Sequence, residues 1–261
     1  MFAKAVVLTK REVRSWIRSP LLSVSFVTRP ILWVVVFGGA LNAAFFSAST
    51  TQGSLGGASD YFSYLTVGML SAMPMLLATR AGSSLFADRS SGYLSRLLVA
   101  PVSRSTIVFA KIAGTMLFGV TQSIVLLFLA IPFGLSLPNL SVPSVLASIA
   151  GVSLLAWGYT CVFMVLSFRV RRWADQQLIS SLNFPIMLFS QVFYPSSRLP
   201  KWMAPLTAYN PVSFSANLSR TVLFGSKSAV TDPTVVVGFV VLVAFALLTS
   251  GILLVLAKEW L

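Results

Sequence analysis

The feature that most constrains this chain is a run of 57 residues, from position 112 to position 168, that contains no Asp, Glu, Lys or Arg. Four further uncharged stretches have about the length of a bilayer crossing. A helix needs about 20 mostly apolar residues to cross roughly 30 Å of hydrocarbon, and an ionised side chain near the centre costs about 2.5 to 3.5 kcal/mol. The pattern therefore predicts an integral membrane protein.

The composition supports this prediction, because 56% of the residues are hydrophobic, only 10% are charged and the mean hydropathy is +0.87. The net charge of +13 could indicate a nucleic-acid partner. However, the basic residues lie mostly at the ends of apolar runs, where they would meet anionic lipid head groups, so we predict no nucleic acid. The lone Cys161 excludes a disulfide within the chain, and the absence of His removes the commonest metal ligand. We expect neither a metal nor a cofactor in this chain.

We predict an all-α fold with six transmembrane helices. The six uncharged segments are residues 30–46, 61–79, 112–131, 145–168, 176–194 and 233–257. The 57-residue run is divided into two crossings because Pro132, Gly134, Pro138 and Pro143 disfavour a helix in its middle.

The basic residues predict the orientation of these spans. Of the 19 Lys and Arg residues, 15 fall on one side of the arrangement, within residues 4–29, 80–111 and 169–172 and at Lys258. The positive-inside rule assigns that side to the cytoplasm, so we expect a multi-pass protein of the cell (inner or plasma) membrane with both termini cytoplasmic. A seventh crossing at 202–219 would move the C-terminus outside, and two prolines and many polar groups argue against it. We therefore predict that residues 195–224 form extracellular re-entrant or interfacial helices.

Residues 1–20 have the pattern of an amphipathic helix that lies on the membrane surface. On a helical wheel one arc collects the apolar residues Phe2, Val6, Val13, Trp16 and Ile17. The opposite side carries the basic residues Lys4, Arg11, Arg14 and Arg18. A secretory signal peptide is the alternative, but its apolar region would begin near Leu21 and no convincing small-residue cleavage site follows.

The charged residues exclude several classes of function. Carriers driven by a proton or sodium gradient usually need ionisable groups near the midplane, and this chain has none there. The charged residues nearest to the spans are Arg29, Arg80, Lys111 and Asp175, all within about one turn of a cytoplasmic end. We interpret them either as anchors at the membrane boundary or as gating groups. With no His and six scattered acidic residues a catalytic constellation is hard to assemble, so we predict that the chain is not an enzyme. The nucleotide-binding pattern GxxxxGK[ST] does not occur either, so active transport would need another subunit as its energy source.

The loop at residues 85–104, between the second and third spans, is where such a subunit would act. Tyr93, Leu94, Leu97 and Leu98 recur at helical spacing, and Pro101 ends the helix. Such a short amphipathic helix can seat its apolar side in a groove on a partner, or it can rest on the bilayer surface. The pattern does not distinguish a partner groove from the bilayer surface.

Three stretches, in order along nearly the whole chain, resemble a known family. They are YFSYLTVGML, ADRSSGYLSRLLVAPVSRSTIVFAKI and NFPIMLFSQVFYPSSRLPKWMAPLTAYNP. Their order, spacing and six-span setting are similar to the membrane subunits of type-two ABC exporters, a group that includes the daunorubicin-exporter-like permeases. The resemblance implies that the whole chain, residues 1–261, is one ABC transporter transmembrane domain.

The resemblance also implies partners and site residues. Two permease chains, expected here as a homodimer, would bind two ATPase subunits that hold the ATP and Mg. The coupling element would comprise Asp88, Arg89, Gly92, Tyr93, Leu94, Arg96, Leu97 and Pro101, with the N-terminal helix also touching the ATPase. The exit-side re-entrant segment would include Trp202, Asn210 and Pro211, although Asn210 and Pro211 also suit a simple turn and helix start. After the fourth span the family often has an acidic residue and a small-residue loop; RVRRWADQQ departs from this, so the resemblance assigns Asp175 no role.

For the translocation path we select polar and bulky residues within otherwise apolar helices. They are Asn42, Gln122, Asn183, Phe184, Met187 and Gln191. The alternative is that the polar members bond a neighbouring helix, as polar side chains in membrane helices often do.

The function expected from the sequence is ATP-driven export of a lipophilic or amphipathic compound, a drug or a lipid. Export of a lipid-linked polysaccharide is the nearest alternative. Permeases of that kind tend to have a Tyr-rich interfacial segment containing Ser-Leu-Gly, which RSPLLSVSFVTRPILW lacks. A passive channel or a membrane scaffold, without an ATPase partner, is a third alternative.

Overall fold

A computed structural model describes residues 2–17, 30–40, 57–99, 103–195, 199–225 and 231–260, together with positions 25, 28 and 55. This part of the chain is helical and contains no strand. Two predicted site residues, Asn42 and Pro101, lie outside the described residues, as do positions 18–20 of the N-terminal segment and 41–46 of the first predicted span.

We number the helices in chain order. They are α1 (Phe2–Ile17), α2 (Leu32–Gly38, with wide π-helical turns), α3 (Tyr61–Ser90), α4 (Tyr93–Val99), α5 (Arg104–Ala130), α6 (Val142–Phe168), α7 (Trp173–Ser181), α8 (Asn183–Leu188), α9 (Ala204–Ala208), α10 (Pro211–Phe224) and α11 (Pro233–Trp260). In the described residues, four stretches are long and apolar enough to cross a membrane: Tyr61–Ser90, Arg104–Phe133, Val142–Phe168 and Pro233–Ala257. They correspond to the second, third, fourth and sixth predicted spans.

Local side-chain chemistry sets the starts of the long helices. The Asp60 carboxylate accepts a hydrogen bond from the Ser63 N–H at 2.8 Å and caps α3. Ser103 and Ser141 cap α5 and α6 in the same way. Between α5 and α6 the chain turns through a short 3₁₀ segment, Ile131–Phe133, and Gly134 at φ 96°, so the predicted proline- and glycine-rich turn separates two helices.

Helix α3 forms the centre of the bundle and packs against α5, α6 and α10. Gly82 permits its close approach to α6, because a Cβ atom there would lie only 2.7 Å from the carbonyl oxygen of Phe163. By contrast, α5 and α11 present large exposed apolar side chains such as Phe128 and Leu248. In a membrane protein such surfaces face lipid.

The fifth predicted span differs from the expectation of one continuous helix over residues 176–194. The structure has two short helices there, α7 and α8, separated at Leu182, and the chain leaves the helical conformation after Leu188. Pro185 explains the interruption, since it has no N–H to donate to the carbonyl of Ser181 and its ring crowds that carbonyl. The prediction of an unbroken helix in this segment is therefore wrong.

The segment predicted to be re-entrant, residues 195–224, contains α9 and α10 in its described part. Helix α10 is almost wholly buried by the other helices of the bundle, with contacts to α3, α6 and α11. Its depth in a membrane stays a prediction.

Candidate functional site

Buried charges mark the two ends of α3. At one end, Asp88 meets charged groups from α1 and α5, and at the other the backbone of Tyr64 accepts hydrogen bonds from Arg220 of α10. Asp88 comes 24 positions after Tyr64, which corresponds to about 36 Å of helix. This length exceeds the roughly 30 Å of a hydrocarbon core. The two sites therefore suit opposite boundaries of a bilayer; we call them the α4 end and the α10 end.

Lys111 is the centre of a four-residue ion cluster at the α4 end, made of Arg11, Glu12, Asp88 and Lys111. Its Nζ donates hydrogen bonds to Asp88 Oδ2 at 2.7 Å and to Glu12 Oε1 at 3.1 Å. The other carboxylate oxygen of Asp88 accepts a hydrogen bond from Arg11 at 3.1 Å. The cluster thereby joins α1, α3 and α5 and pairs two cations with two anions.

The ion cluster corrects one interpretation of the sequence. Lys111 does not extend towards lipid head groups as a boundary anchor, because its side chain is buried and also bonds Ser84 Oγ at 2.6 Å. Arg80 lines a cavity of about 250 Å³ beside the cluster. Asp175 is exposed in the first turn of α7. A buried ion pair is held in place by its partners, since either charge alone would be costly to bury.

The loop that follows α3 is fixed to the bundle by three of its predicted coupling residues. Gly92 makes the turn into α4 with φ at 71°, a backbone conformation that favours glycine. Arg89 donates a hydrogen bond to the carbonyl oxygen of Phe168, at the end of α6, at 2.9 Å. The guanidinium carbon of Arg11 lies 3.9 Å from the centre of the Tyr93 ring, a cation–π contact.

The apolar side of α4 faces the protein's own core. Leu94 is 6% exposed and packs among residues of α3, α5 and α6, and Leu97 packs against the same cluster. Leu94 therefore contacts this chain's own helices, and the role of the loop in coupling to an ATPase stays a prediction. Ser95 and Arg96 are exposed and Val99 is 89% exposed, so a partner would meet this mostly polar side of α4.

At the α10 end, the guanidinium of Arg220 is buried and bonds only to oxygens that carry no formal charge among the described residues. It donates to the carbonyl oxygens of Tyr64 at 3.1 Å, Gln191 at 2.7 Å and Val192 at 2.9 Å. Its central carbon lies 3.5 Å from the centre of the Tyr64 ring. In the described part of the chain no carboxylate lies within ion-pair distance of this group. Backbone oxygens and an aromatic face take the place of a counter-ion.

Arg220 holds the non-helical end of the fifth predicted span against α3. The Tyr61 and Tyr64 hydroxyls donate to the carbonyl oxygens of Phe193 at 3.1 Å and Gln191 at 2.9 Å. A Cβ at Gly68 would lie 2.8 Å from the Val192 carbonyl oxygen, so only glycine allows this approach. From the sequence, Arg220 is only one of the four Lys and Arg residues that fall on the side opposite the predicted cytoplasmic face. The available signal was a lone cation inside a helical, otherwise uncharged stretch.

The residues predicted to line a path mostly contact this chain's own helices. Asn183 donates to Thr79 Oγ1 at 3.2 Å, Met187 is buried in the core, and Gln122 is buried in α5. The Gln191 side chain accepts a hydrogen bond from Asn217 at 2.8 Å. Phe184 is exposed. For Asn183 and Gln191 these contacts match the alternative, bonding to a neighbouring helix; contact with a cargo stays a prediction.

Asn210 and Pro211, predicted for the exit side, form the start of α10 and connect it to α8. The Asn210 Oδ1 caps α10 by accepting from the Val212 N–H at 3.0 Å, and Pro211 occupies the first turn of that helix. The Asn210 Nδ2 also donates to the carbonyl oxygens of Ile186 and Phe189, both at 2.8 Å. Trp202 is largely exposed and meets the Phe189 ring edge-on at a centroid distance of 6.4 Å. The Asn210 hydrogen bonds therefore connect α10 to the end of α8.

Comparison with known proteins adds to this geometry. Residues 4–224 match the family described as ABC-2 type transporter. The provisionally named transport permease ycf38 of Cyanophora paradoxa is 26% identical over 80% of this chain and 70% of its own length, and that of Porphyra purpurea is 28% identical over 76% and 66%. The daunorubicin resistance ABC transporter permease protein DrrB1 of Streptomyces coeruleorubidus is 21% identical over 83% of this chain and 73% of its own length.

Proposed function

Because this chain belongs to the ABC-2 type transporter family, we propose that it is the membrane subunit of an exporter driven by a separate ATPase. It is a multi-pass membrane protein of a transporter permease family. In the proposed complex two copies pair, two ATPase subunits bind ATP and Mg at the α4 end, and that end faces the cytoplasm. The chain itself performs no catalysis.

The ion cluster is the observation that carries this proposal. It connects α1 and α5 to the inner turns of α3, directly beside the loop that bears α4. A partner that moves α4 acts on Tyr93 and Leu94, which contact Arg11 and the core. From there a single helix, α3, runs to the Arg220 site at the α10 end. This arrangement suits the transfer of a mechanical displacement between the two faces of a membrane.

The proposed cargo is a lipophilic or amphipathic compound, a drug or a lipid. The name of the Streptomyces coeruleorubidus relative assigns that protein to daunorubicin resistance, which supports a cargo of this chemical class. On α3 the charged residue between Tyr64 and Asp88 is Arg80, which lies beside the ion cluster. From Tyr64 to Thr79 this helix carries no charged side chain, which suits an apolar path better than a path for ions.

Substitutions that place negative charge on the exposed side of α4 test whether this side binds the ATPase subunit. We expect Arg96→Glu with Val99→Asp to reduce copurification of a nucleotide-binding subunit roughly tenfold or more, the effect of losing an interface hot spot. Both side chains are exposed, so the variant should keep the melting temperature of the parent chain. The measurement is the ratio of bound ATPase to permease after purification in a mild detergent.

Two control variants separate docking from folding. Lys201→Glu reverses an exposed charge outside the loop and should leave copurification unchanged. Leu94→Asp places a carboxylate in the core and should lower the melting temperature as well as copurification. If the double variant at Arg96 and Val99 retains a stoichiometric ATPase, the proposed docking surface is incorrect. If the parent chain binds none, the proposed function fails.

A further inference from the structure

A groove of about 670 Å³ lies between α1 and α5, and Trp157 of α6 also lines it. Helix α1 contributes one face, at positions i, i+3, i+4 and i+7: Val6, Thr9, Lys10 and Val13. Helix α5 contributes apolar side chains from Phe109 to Leu117. Apart from Lys10 and Thr9, the lining is apolar.

The length of the groove fits one leaflet of a bilayer. Eight residues separate Phe109 from Leu117, which corresponds to about 12 Å along the helix axis. Half of a hydrocarbon core is about 15 Å thick. The groove begins near the start of α5, at the boundary marked by the ion cluster, and extends towards the middle of the span. An acyl chain of the leaflet at the α4 end can therefore lie along it.

The surface around the groove continues the lipid-facing surface of the bundle. Val6, Phe109 and Leu117, which form its rims, are all exposed. Farther along, the exposed side chains of Phe128 on α5 and of Ile131, directly after this helix, extend the apolar surface. In a membrane-spanning helix of a transporter permease such side chains contact acyl chains, so lipid has direct access to the groove.

The helix that lines one side of the groove carries exposed basic residues. Lys10 lines the groove and is exposed, and Arg14, one helical turn later on α1, is exposed as well. The acidic residue of this helix, Glu12, is turned away and bonded to Lys111. Two exposed basic groups on the helix beside an apolar groove suit a phosphate diester with a net negative charge better than a zwitterionic head group.

We propose that this groove binds one anionic phospholipid of the leaflet at the α4 end, with its head group on Lys10 and Arg14 and an acyl chain against Phe109, Met116 and Trp157. The bound lipid fills the space beneath α1 and so supports the helix that supplies Arg11 and Glu12 to the ion cluster. The site depends neither on the ATPase nor on the identity of the cargo.

Lipid titration of the purified full-length chain tests this proposal. Native mass spectrometry is used to compare retention of phosphatidylglycerol and phosphatidylcholine with identical acyl chains. We expect phosphatidylglycerol to be retained at least about fivefold better, and we expect Lys10→Gln with Arg14→Gln to remove this preference, since each basic group contributes roughly fivefold. The matched control, Arg171→Gln with Arg172→Gln, removes two exposed charges away from the groove and should keep it.

A second variant tests the groove rather than the charges. Ala113→Trp fills the space between the rims and should abolish retention of the tightly held phosphatidylglycerol while the melting temperature stays within a few degrees. Equal retention of the two lipids would mean an adventitious boundary lipid only and would contradict the proposal. It would also be contradicted if Ala113→Trp left retention unchanged, or if it altered the oligomeric state instead, which would indicate a second copy of the chain in the groove.

Discussion

Replacing Lys111 by Met should lower the free energy of unfolding by about 3 to 5 kcal/mol, the cost of breaking a buried ion pair by removing one partner. The substitution leaves Asp88 and Glu12 near each other with only Arg11, itself partly exposed, to compensate them. The hydroxyl of Ser84 loses its 2.6 Å hydrogen bond from Lys111 and keeps the longer bond to Glu12 Oε2 at 3.5 Å. Unfolding of the purified chain in mixed micelles, followed by circular dichroism, measures the change.

A second substitution should restore part of the loss. In the double variant Lys111→Met with Asp88→Leu, one uncompensated charge is removed, so its stability should lie between that of the single variant and that of the parent chain. Lys201→Met removes an exposed lysine and should change stability by no more than about 0.5 kcal/mol. A single variant at Lys111 within 1 kcal/mol of the parent chain, roughly a surface effect, would show that the cluster does not join α1 to α3 and α5.

Replacing Arg220 by Met should destabilise the chain by a similar amount, about 3 to 5 kcal/mol. The variant removes hydrogen bonds from a charged donor to the carbonyl oxygens of Tyr64, Gln191 and Val192, and such bonds contribute about 1.5 to 3 kcal/mol each. The Gln191 oxygen keeps its hydrogen bond from the Tyr64 hydroxyl. The chain after Leu188 would lose its main attachment to α3. The same unfolding measurement, together with protease sensitivity of residues 189–195, detects both effects.

Graded variants separate the charge of Arg220 from its geometry. Arg220→Lys keeps the cation, but its donors sit on one nitrogen and do not reproduce the planar fork by which the guanidinium reaches the carbonyl oxygens of Tyr64, Gln191 and Val192, so it should lose an intermediate amount of stability. Tyr64→Phe keeps the ring under the guanidinium and removes one hydrogen bond to Gln191, which should cost about 1 kcal/mol. Equal stability of Arg220→Met and Arg220→Lys would contradict the role assigned to the three backbone acceptors.

The sequence predicts the long helices because their physical signal is strong. The uncharged runs and the proline-rich turn after α5 are signals that act within a few neighbouring residues. The absence of charged residues alone does not predict the break before Asn183, because this criterion treats Pro185 as one more uncharged position. Proline matters there through a missing donor and a steric clash.

The contacts of the site could not be predicted for a different reason. Helical spacing in α4 identifies an apolar side but not its neighbour, and Leu94 packs into this chain rather than into a partner. Similarly, 99 positions separate Glu12 from Lys111 and 156 separate Tyr64 from Arg220. The packing of α1 against α5 and of α3 against α10 brings these groups together.

Transport into sealed vesicles tests the central claim most directly, namely that this permease has no energy source of its own. Vesicles are prepared with the chain alone, with its ATPase partner alone and with both, and accumulation of a fluorescent amphipathic compound against its gradient is followed after addition of ATP and Mg. We expect accumulation only when both proteins are present and ATP is hydrolysed. Sustained accumulation against the gradient by the chain alone would contradict the account.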